Sequence, residues 1–244
     1  MNYKLTISYD GTNYSGWQIQ PDSKTIQEII EKSLMKIFSD QNFKVIGSGR
    51  TDAGVHANGQ VANVNIENSK MNESQIKNAI NSYLPNDIFI NDCTLVKDEF
   101  HARFTAKKRE YFYYISNNYH PKNRFYVWNC KWELDLNILN KCSDLLIGEH
   151  DFSSFSKASS DTKNKICKLY ESYWIMDDSK LIYKVKANRF LQHMVRLLVG
   201  SMVEVSRGRI SIKEFERILK NKKSKFTAVR APATGLFLNE IFYE

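Results

Sequence analysis

The segment GSGRTDAG at residues 47–54 places two glycines, an arginine and an aspartate in one short loop. Gly47 and Gly49 have the G-x-G spacing of a dinucleotide-binding loop, but the third glycine of that fingerprint is missing. Asp52 would put a negative charge where a pyrophosphate binds, and the following VHANG holds too many turn formers to begin the required helix. The sequence therefore argues against a dinucleotide site and leaves Asp52, beside Arg50, as the candidate for chemistry.

Other familiar chemistries lack their residues. No second carboxylate lies near Asp52 in the sequence, as the usual glycoside hydrolysis would need. The five histidines are scattered and no C-x-x-C pair accompanies them, so a metal site is unsupported. No G-x-x-x-x-G-K-[ST] motif indicates a nucleotide triphosphate. We expect neither metal nor cofactor. On its own spacing, Asp52 is also typical of an ordinary turn residue, because Asp before Ala-Gly suits a turn.

The elements that must position this loop follow a recognisable order in the first half of the chain. Residues 3–9 alternate apolar and polar side chains, which predicts a half-buried strand, and Thr25 with Glu28 forms a capping-box pattern before an apolar helical stripe. Further elements are predicted as strands at 43–46 and 60–66, a helix from 72 to 84, and a strand at 88–96. The order β-α-β-β-α-β is that of a ferredoxin-like unit.

The second half repeats much of this order. Strands are predicted at 111–115, 167–176, 181–187 and 236–242, and helices at 134–147, 190–205 and 212–219. We therefore predict an α+β fold of two ferredoxin-like β-α-β-β-α-β halves, residues 1–105 and 106–244, with adjacent antiparallel sheets and a central basic cleft.

Composition and charge limit the class of protein. A chain of 244 residues with 42% hydrophobic content can fill real cores, and no apolar run is long enough to cross a membrane. Four cysteines without paired spacing and a strand-like start predict a soluble cytoplasmic protein with free thiols.

The net charge of +8 belongs to the second half. Residues 1–105 hold 10 Lys and Arg against 12 Asp and Glu, whereas residues 106–244 hold 25 against 15. This asymmetry favours a polyanionic partner, with Lys107 and Lys108, the lysines of TKNKICK and those of KNKKSK at 220–225 as candidate phosphate contacts. The alternative for each cluster is a solvated basic surface.

The motif GRTDAGVHA at 49–57 closely resembles the signature of the tRNA pseudouridine synthase A family. Segments similar to others of that family follow its order along nearly the whole chain: YDGTNYSGWQIQP, TIQEIIEKSL, FHARFTAKKREYFYYI, HDFSSF, NRFLQHMVR and APATGLFL. The resemblance implies an isomerase that converts uridine to pseudouridine at positions 38, 39 and 40 in the anticodon arm of tRNA. It also implies a homodimer that works without cofactor or metal.

The resemblance also implies residue roles. It makes Asp52 the catalytic aspartate, which attacks C1′, attacks C6 or abstracts a sugar proton. Arg50 would help to extrude the target base, and Tyr111 would stack on the flipped uracil. Leu236 or Leu238 would line an apolar pocket floor. Phe152 and Phe155 either touch RNA or pack as a structural plug, Tyr113 and Tyr114 are assigned to the core, and Lys165 stands where the family pattern suggests an arginine.

Arg196 lies in HMVRLLVGSMV, the only fully charged residue between Met194 and Val203. A guanidinium on so apolar a helix is costly unless a carboxylate meets it. The resemblance makes Asp52 its partner, and the alternatives are solvent or an acid such as Glu204.

A different class of function is a non-catalytic RNA-binding module, since basic sheets with the aromatic run EYFYYI could stack on single strands. KKREYFYYI lacks the glycines of the RNP1 consensus, and a pure binder has no use for Asp52 beside basic residues.

Overall fold

The structure, a computed structural model, describes residues 1–39, 41–157, 162–220 and 227–244. Strands and helices are both present throughout these ranges, so the mixed α+β fold predicted from the sequence is confirmed.

The chain divides into two compact units. The first unit comprises Met1–Lys107 together with Phe237–Glu244, and the second comprises Lys108–Leu236. The sequence had assigned the terminal segment to the second half. It groups with the first unit because its strand forms a parallel pair there, with Phe237 opposite His56 and Leu238 opposite Ala57.

The first unit has the predicted order of strands and helices. Its elements are β1 (Asn2–Tyr9), α1 (Ile26–Ile37), β2 (Ile46–Gly47), β3 (His56–Asn65), α2 (Glu73–Tyr83), β4 (Ile88–Val96) and, from the end of the chain, β10 (Leu236–Phe242). The sheet order is β4-β1-β3-β10, with β2 also paired to β3. β3 lies between β1 and β10 and is buried along most of its length, which explains why its sequence shows no clean alternation.

Two boundaries in the first unit differ from the prediction. The strand expected at 43–46 is reduced to Ile46–Gly47, and β3 begins at His56 rather than at residue 60. The helix starts are as expected: Thr25 Oγ1 accepts from the Glu28 amide at 3.4 Å, and Asn72 forms a full capping box with Gln75 before α2.

The second unit contains a further set of β-strands, most of them in antiparallel pairs. Its elements are β5 (Lys108–Ser116), β6 (Trp128–Asn129), α3 (Leu136–Asp144), β7 (Gly148–Asp151), β8 (Ile166–Asp177), β9 (Lys180–Ala187), α4 (Met194–Ser206) and α5 (Ile212–Leu219). The strand order is β5-β9-β8-β7, with β6 beside β5. Asp178 and Ser179 both have positive φ, as the tight turn predicted between β8 and β9 requires.

Helix α4 begins four residues later than predicted. His193, the residue before it, has φ of 66°, and the Met194 amide donates to the Leu191 carbonyl in a turn. A left-handed residue cannot belong to a right-handed helix, so residues 190–193 form a turn despite their apolar sequence.

All four cysteines are free and buried. Burial raises the pKa of Cys93 and of Cys142 to about 12 and that of Cys167 to about 11. None of the helices in the described ranges has the length and apolar character that crossing a bilayer requires.

Candidate functional site

The loop that carries Asp52 is held in a tight turn. The Val55 amide donates to the Asp52 carbonyl at 3.1 Å, and Gly54 at the third position of this turn has φ of 75°. That conformation favours glycine, as in a type II turn. Asp52 itself is half-buried and the next residue, Ala53, is exposed. The turn therefore keeps a carboxylate at the surface of the first unit on a fixed backbone.

The base of the loop is anchored to β3. The Ser48 hydroxyl donates to Gln60 Oε1 at 2.7 Å, and Gln60 Nε2 donates to the Gly49 carbonyl at 3.0 Å. The Ser48 amide also donates to the Val61 carbonyl at 2.7 Å. Ser48 and Gln60 are fully buried, where each polar group needs a partner, so the start of the loop is fixed to the sheet.

The segment Tyr9–Trp17, which begins at the last residue of β1, also contacts the loop. The Trp17 amide donates to the Thr51 carbonyl at 3.1 Å, and the Gly54 amide donates to the Tyr14 carbonyl at 3.3 Å. The hydroxyls of Tyr9 and Thr51 lie 2.8 Å apart in a hydrogen bond. The segment thus binds residues on both sides of Asp52.

Two glycines allow this close approach. A Cβ on Gly11 would lie 2.0 Å from the Val55 carbonyl oxygen, and one on Gly16, whose φ is 94°, would lie 2.5 Å from the Thr51 carbonyl oxygen. No side chain fits at either distance, so glycine at both positions is a condition of the loop geometry.

Arg50 extends along the outside of the loop. Its Nη1 donates to Gln18 Oε1 at 2.9 Å, and both side chains are exposed. The guanidinium is therefore accessible to a polyanion.

His56 is buried at the C-terminal end of the loop. Its Nδ1 lies 3.1 Å from the Gly11 amide and 3.2 Å from Asp10 Oδ1. One nitrogen cannot accept from the amide and donate to the carboxylate in the same protonation state. The amide always carries its hydrogen, so Nδ1 is the acceptor, and its short distance to Asp10 Oδ1 is not that of an ion pair. The ring also stacks on Phe237 at a centroid distance of 4.6 Å, which gives His56 a structural role.

Arg196 lies in the first turn of α4, in the second unit. Its Nε donates to the Ala231 carbonyl at 2.9 Å, and the Ala231 amide donates back to the Arg196 carbonyl at 3.0 Å. These bonds fix the plane of a half-buried guanidinium. Glu204, considered above as an alternative partner, pairs with Arg207 at 2.5 Å and with Arg209 at 3.7 Å.

Tyr111 and Tyr113 lie two residues apart on β5, and both are buried. Tyr111 is 9% exposed and makes an edge contact with Phe190 at 5.0 Å between ring centroids. Tyr113 is fully buried and donates to the Pro232 carbonyl at 2.8 Å, which agrees with its assignment to the core. Burial raises the pKa of Tyr113 well above its ordinary value, with the charge of Arg196 acting in the opposite direction. Tyr111 thus has little exposed surface in this structure.

Leu236 and Leu238 lie two residues apart on β10 and are both buried, as apolar floor residues would be. Phe152 and Phe155 also have no exposed surface, and Phe155 packs on Phe215 at 5.6 Å. A fully buried ring cannot stack on RNA without leaving the core. The structure therefore favours the structural-plug reading of Phe152 and Phe155 over RNA contact.

The basic residues lie in different settings. Lys107 is exposed, whereas Lys108 is half-buried and its Nζ lies 5.1 Å from the centre of the Tyr170 ring. Lys165 is half-buried and its carbonyl accepts from the Phe152 amide. Lys222, in the cluster at 220–225, lies outside the described residues.

Sequence reasoning did not assign a role to Tyr9, Thr51 or Trp17. The available signal was the segment YDGTNYSGW, whose glycines and aromatics suit a close packing partner. Among the described residues, no group of three or more His, Cys, Asp or Glu could hold a metal ion.

Comparison with known proteins gives consistent matches. The profile of a family described as tRNA pseudouridine synthase matches residues 5–105 and 143–244. The tRNA pseudouridine synthase A of Dictyoglomus thermophilum is 41% identical over 247 residues, which cover 100% of both chains. A protein of the same name from Borrelia hermsii is 42% identical, with 98% of this chain and 97% of the relative covered. Another from Bacteroides fragilis is 38% identical over 99% of this chain and 96% of the relative.

Proposed function

This chain belongs to the tRNA pseudouridine synthase family, and from that premise we propose that it isomerises uridine to pseudouridine at positions 38, 39 and 40 in the anticodon arm of tRNA. Asp52 is the catalytic carboxylate of this proposal. The observation that carries it is the loop at residues 47–55, in which hydrogen bonds from β3 and from the segment Tyr9–Trp17 hold a half-buried aspartate.

The reaction requires one bond to break and another to form. The bond between N1 of uracil and C1′ of ribose breaks, the base turns, and C5 bonds to C1′. C5 then loses its hydrogen as a proton and N1 gains one, so no oxidant or cofactor is needed. Asp52 begins this sequence by attack on C1′, by attack on C6 or by removal of a sugar proton, and the fixed backbone of its loop supports each route by holding the carboxylate in place.

Other residues would handle the substrate. A uridine in a stacked loop must be extruded before its C1′ is accessible, and the exposed Arg50 guanidinium is suited to take the place of the extruded base. Tyr111 would stack on the uracil, and Leu236 or Leu238 would form the apolar floor. Lys107 and Lys108 would contact phosphates.

Arg196 is proposed as the ion-pair partner of Asp52. Two observations support this. Its guanidinium is half-buried on an apolar helix, which favours a counter-charge, and Glu204 is already paired with two other arginines. The pair would hold the carboxylate ionised and oriented at the start of the reaction.

The two halves are proposed to be ferredoxin-like, at 1–105 and 106–244, with a basic cleft. The strand order β4-β1-β3-β2 and the antiparallel pairing in the first unit support that class. A tRNA substrate implies a cytoplasmic location. We also propose a homodimer whose two subunits form the tRNA-binding surface, and sedimentation equilibrium at micromolar concentration tests it.

The release of tritium from tRNA labelled at uridine C5 tests the function, because rearrangement to a C-glycoside expels that hydrogen. Asp52→Asn is expected to abolish release while affinity for tRNA stays within about threefold. The matched control is Asp178→Asn, the same change in the turn between β8 and β9, where asparagine also tolerates a positive φ.

Two outcomes would contradict the proposal. Asp52→Asn is expected to release tritium at no more than about one hundredth of the wild-type rate. A rate above a few per cent of the wild-type rate would remove Asp52 from the mechanism. Tight tRNA binding without any release by the wild-type protein would favour the RNA-binding module.

A further inference from the structure

The segment Tyr9–Trp17 has no part in the chemistry proposed above, although it touches the loop on both sides of Asp52. One contact is made by side chains: the Tyr9 hydroxyl and Thr51 Oγ1 are 2.8 Å apart. Tyr9 is 5% exposed and Thr51 is 7% exposed, so this hydrogen bond is shielded from water. Thr51 directly precedes Asp52 in the chain.

We propose that Tyr9 and Thr51 are positioning residues for Asp52, an inference that rests on the proposed function. Thr51 is held at two points, its carbonyl by the Trp17 amide at 3.1 Å and its hydroxyl by Tyr9. The carbonyl carbon of Thr51 is bonded to the nitrogen of Asp52, so these bonds fix the peptide plane from which Asp52 departs.

The need for such a device follows from the reaction. A carboxylate oxygen must come within about 3–3.5 Å of the reacting carbon, and an error of about 1 Å can cost about 100-fold in rate. The aspartate side chain has few torsions, so its placement depends mainly on its backbone. A main-chain bond alone leaves the Thr51 side chain free to change rotamer, and the Tyr9 hydroxyl removes that freedom.

The contact can be removed without loss of packing. Tyr9→Phe keeps the ring, which lies 6.2 Å from the Trp17 ring, and deletes only the hydroxyl. Thr51→Val deletes the other hydroxyl at nearly constant volume, whereas Thr51→Ser retains it. A matched control exists in the second unit: the Tyr183 hydroxyl bonds Ser172 Oγ at the same distance, 2.8 Å, and Tyr183 is fully buried.

The experiment measures kcat and KM for tritium release together with thermal stability. Tyr9→Phe and Thr51→Val are each expected to lower kcat about tenfold or more, with KM for tRNA within about twofold. The double variant should be no slower than either single variant, because both delete the same bond. Thr51→Ser should retain most of kcat. Tyr183→Phe should lose similar stability and keep kcat within about twofold.

A second readout does not depend on activity. The Gly54 amide donates to the Tyr14 carbonyl, and the Val55 amide donates to the Asp52 carbonyl within the loop. The hydrogen exchange of both amides should accelerate in Tyr9→Phe but not in Tyr183→Phe. If Tyr9→Phe does not fold, the comparison of Thr51→Val with Thr51→Ser gives the same test.

Failure of this inference is distinct from failure of the proposed function. An active wild type, an inactive Asp52→Asn and a Tyr9→Phe as fast as Tyr183→Phe would overturn the positioning role alone. Unchanged exchange at Gly54 and Val55 would overturn it as well. A wild type that releases no tritium overturns the proposed function, and the exchange measurement still decides whether the hydroxyl pair orders the loop.

Discussion

Arg196 shows how one charged residue can be tolerated on an apolar helix. Nine other residues of α4 are buried, yet its own side chain is half-buried and bonded to the Ala231 carbonyl. A backbone carbonyl satisfies a donor but does not neutralise a positive charge. A guanidinium in such a setting is costly for folding, and the proposed pairing with Asp52 would offset that cost.

Arg196→Met is expected to reduce turnover by about 100-fold or more, because the carboxylate would lose the charge that orients it. Arg196→Lys should recover only part of the rate, since an ammonium lacks the planar fork of a guanidinium. Steady-state tritium release measures both. In an Asp52→Ala background, Arg196→Met should cause little further loss of stability.

Arg207→Met provides the matched control for this pair. Arg207 follows α4, pairs with Glu204 and places its guanidinium over the Trp132 ring. Its replacement should therefore reduce stability and leave turnover intact. Equal and additive stability losses from Arg196→Met and Asp52→Ala would instead place Arg196 in a separate structural role.

Single residues differed in how far the sequence could assign them. Asp52 and Arg196 drew attention because each is a charged residue in an unusual setting, a glycine-flanked loop or an apolar helix, but only the resemblance to the family implied their roles. Tyr9 and Thr51 fit their local patterns, a strand and a turn, so their contact depends on a fold that brings together residues 42 positions apart. Phe152 and Phe155 were left open because aromatic spacing of three does not reveal burial.

At the scale of elements, the loop between β1 and α1 and the loop between β2 and β3 form one interlocked pair. Gly16 is constrained in two ways, since it combines φ of 94° with a carbonyl oxygen 2.5 Å from the position that a Cβ would occupy. Conformation and space both require glycine there.

Gly16→Ala is therefore expected to destabilise the protein by more than the ~1–2 kcal/mol of a left-handed alanine, and to lower kcat by moving Thr51. Thermal unfolding and tritium release measure the two effects. Gly208→Ala is the control, because Gly208 has φ of 71° with no atom within 4 Å of the added Cβ. Gly208→Ala should lose only the stability that a left-handed alanine costs, and it should keep its activity. Similar losses of activity in both variants would contradict the claim that a Cβ at Gly16 displaces Thr51.

Element boundaries were predictable where local sequence decides them. The capping residues of α1 and α2 and the turn between β8 and β9 carry their own signals. The start of α4 has no such local signal, because the apolar spacing of residues 190–193 also suits a turn in which His193 is left-handed. The place of β10 was equally hidden, since its pairing with β3 is a tertiary contact.

At the scale of the whole molecule, the basic charge of residues 106–244 is the main expected source of affinity for RNA. Positive side chains on a surface release counterions when they meet phosphates. The number of side chains that contact phosphates can therefore be measured from the salt dependence of binding, whereas the net charge of the protein does not give it.

Replacement of Lys107 and Lys108 by glutamine should reduce the slope of log affinity against log salt by about one unit for each true phosphate contact. The turnover of the bound complex should change little. Fluorescence titrations of tRNA between low and physiological salt measure the slope. Lys32→Gln is the control, because Lys32 pairs with Glu28 on α1 at 2.6 Å; a slope reduced equally by this change would mean that Lys107 and Lys108 act only through net charge.

The return of the last strand to the first unit has a consequence for how the protein is made. After the first segment of this unit, Met1–Lys107, about 130 further residues, Lys108–Leu236, must be translated before Phe237 can reach β3, which takes roughly 6–26 s at ordinary ribosomal rates. Until then the nascent first unit has an open sheet edge, and Phe237 has not yet stacked on His56, four residues after Asp52. The aspartate loop thus lacks this contact until Phe237 has been translated, and a nascent chain that has not reached Phe237 carries a sheet edge that a chaperone would be expected to cover.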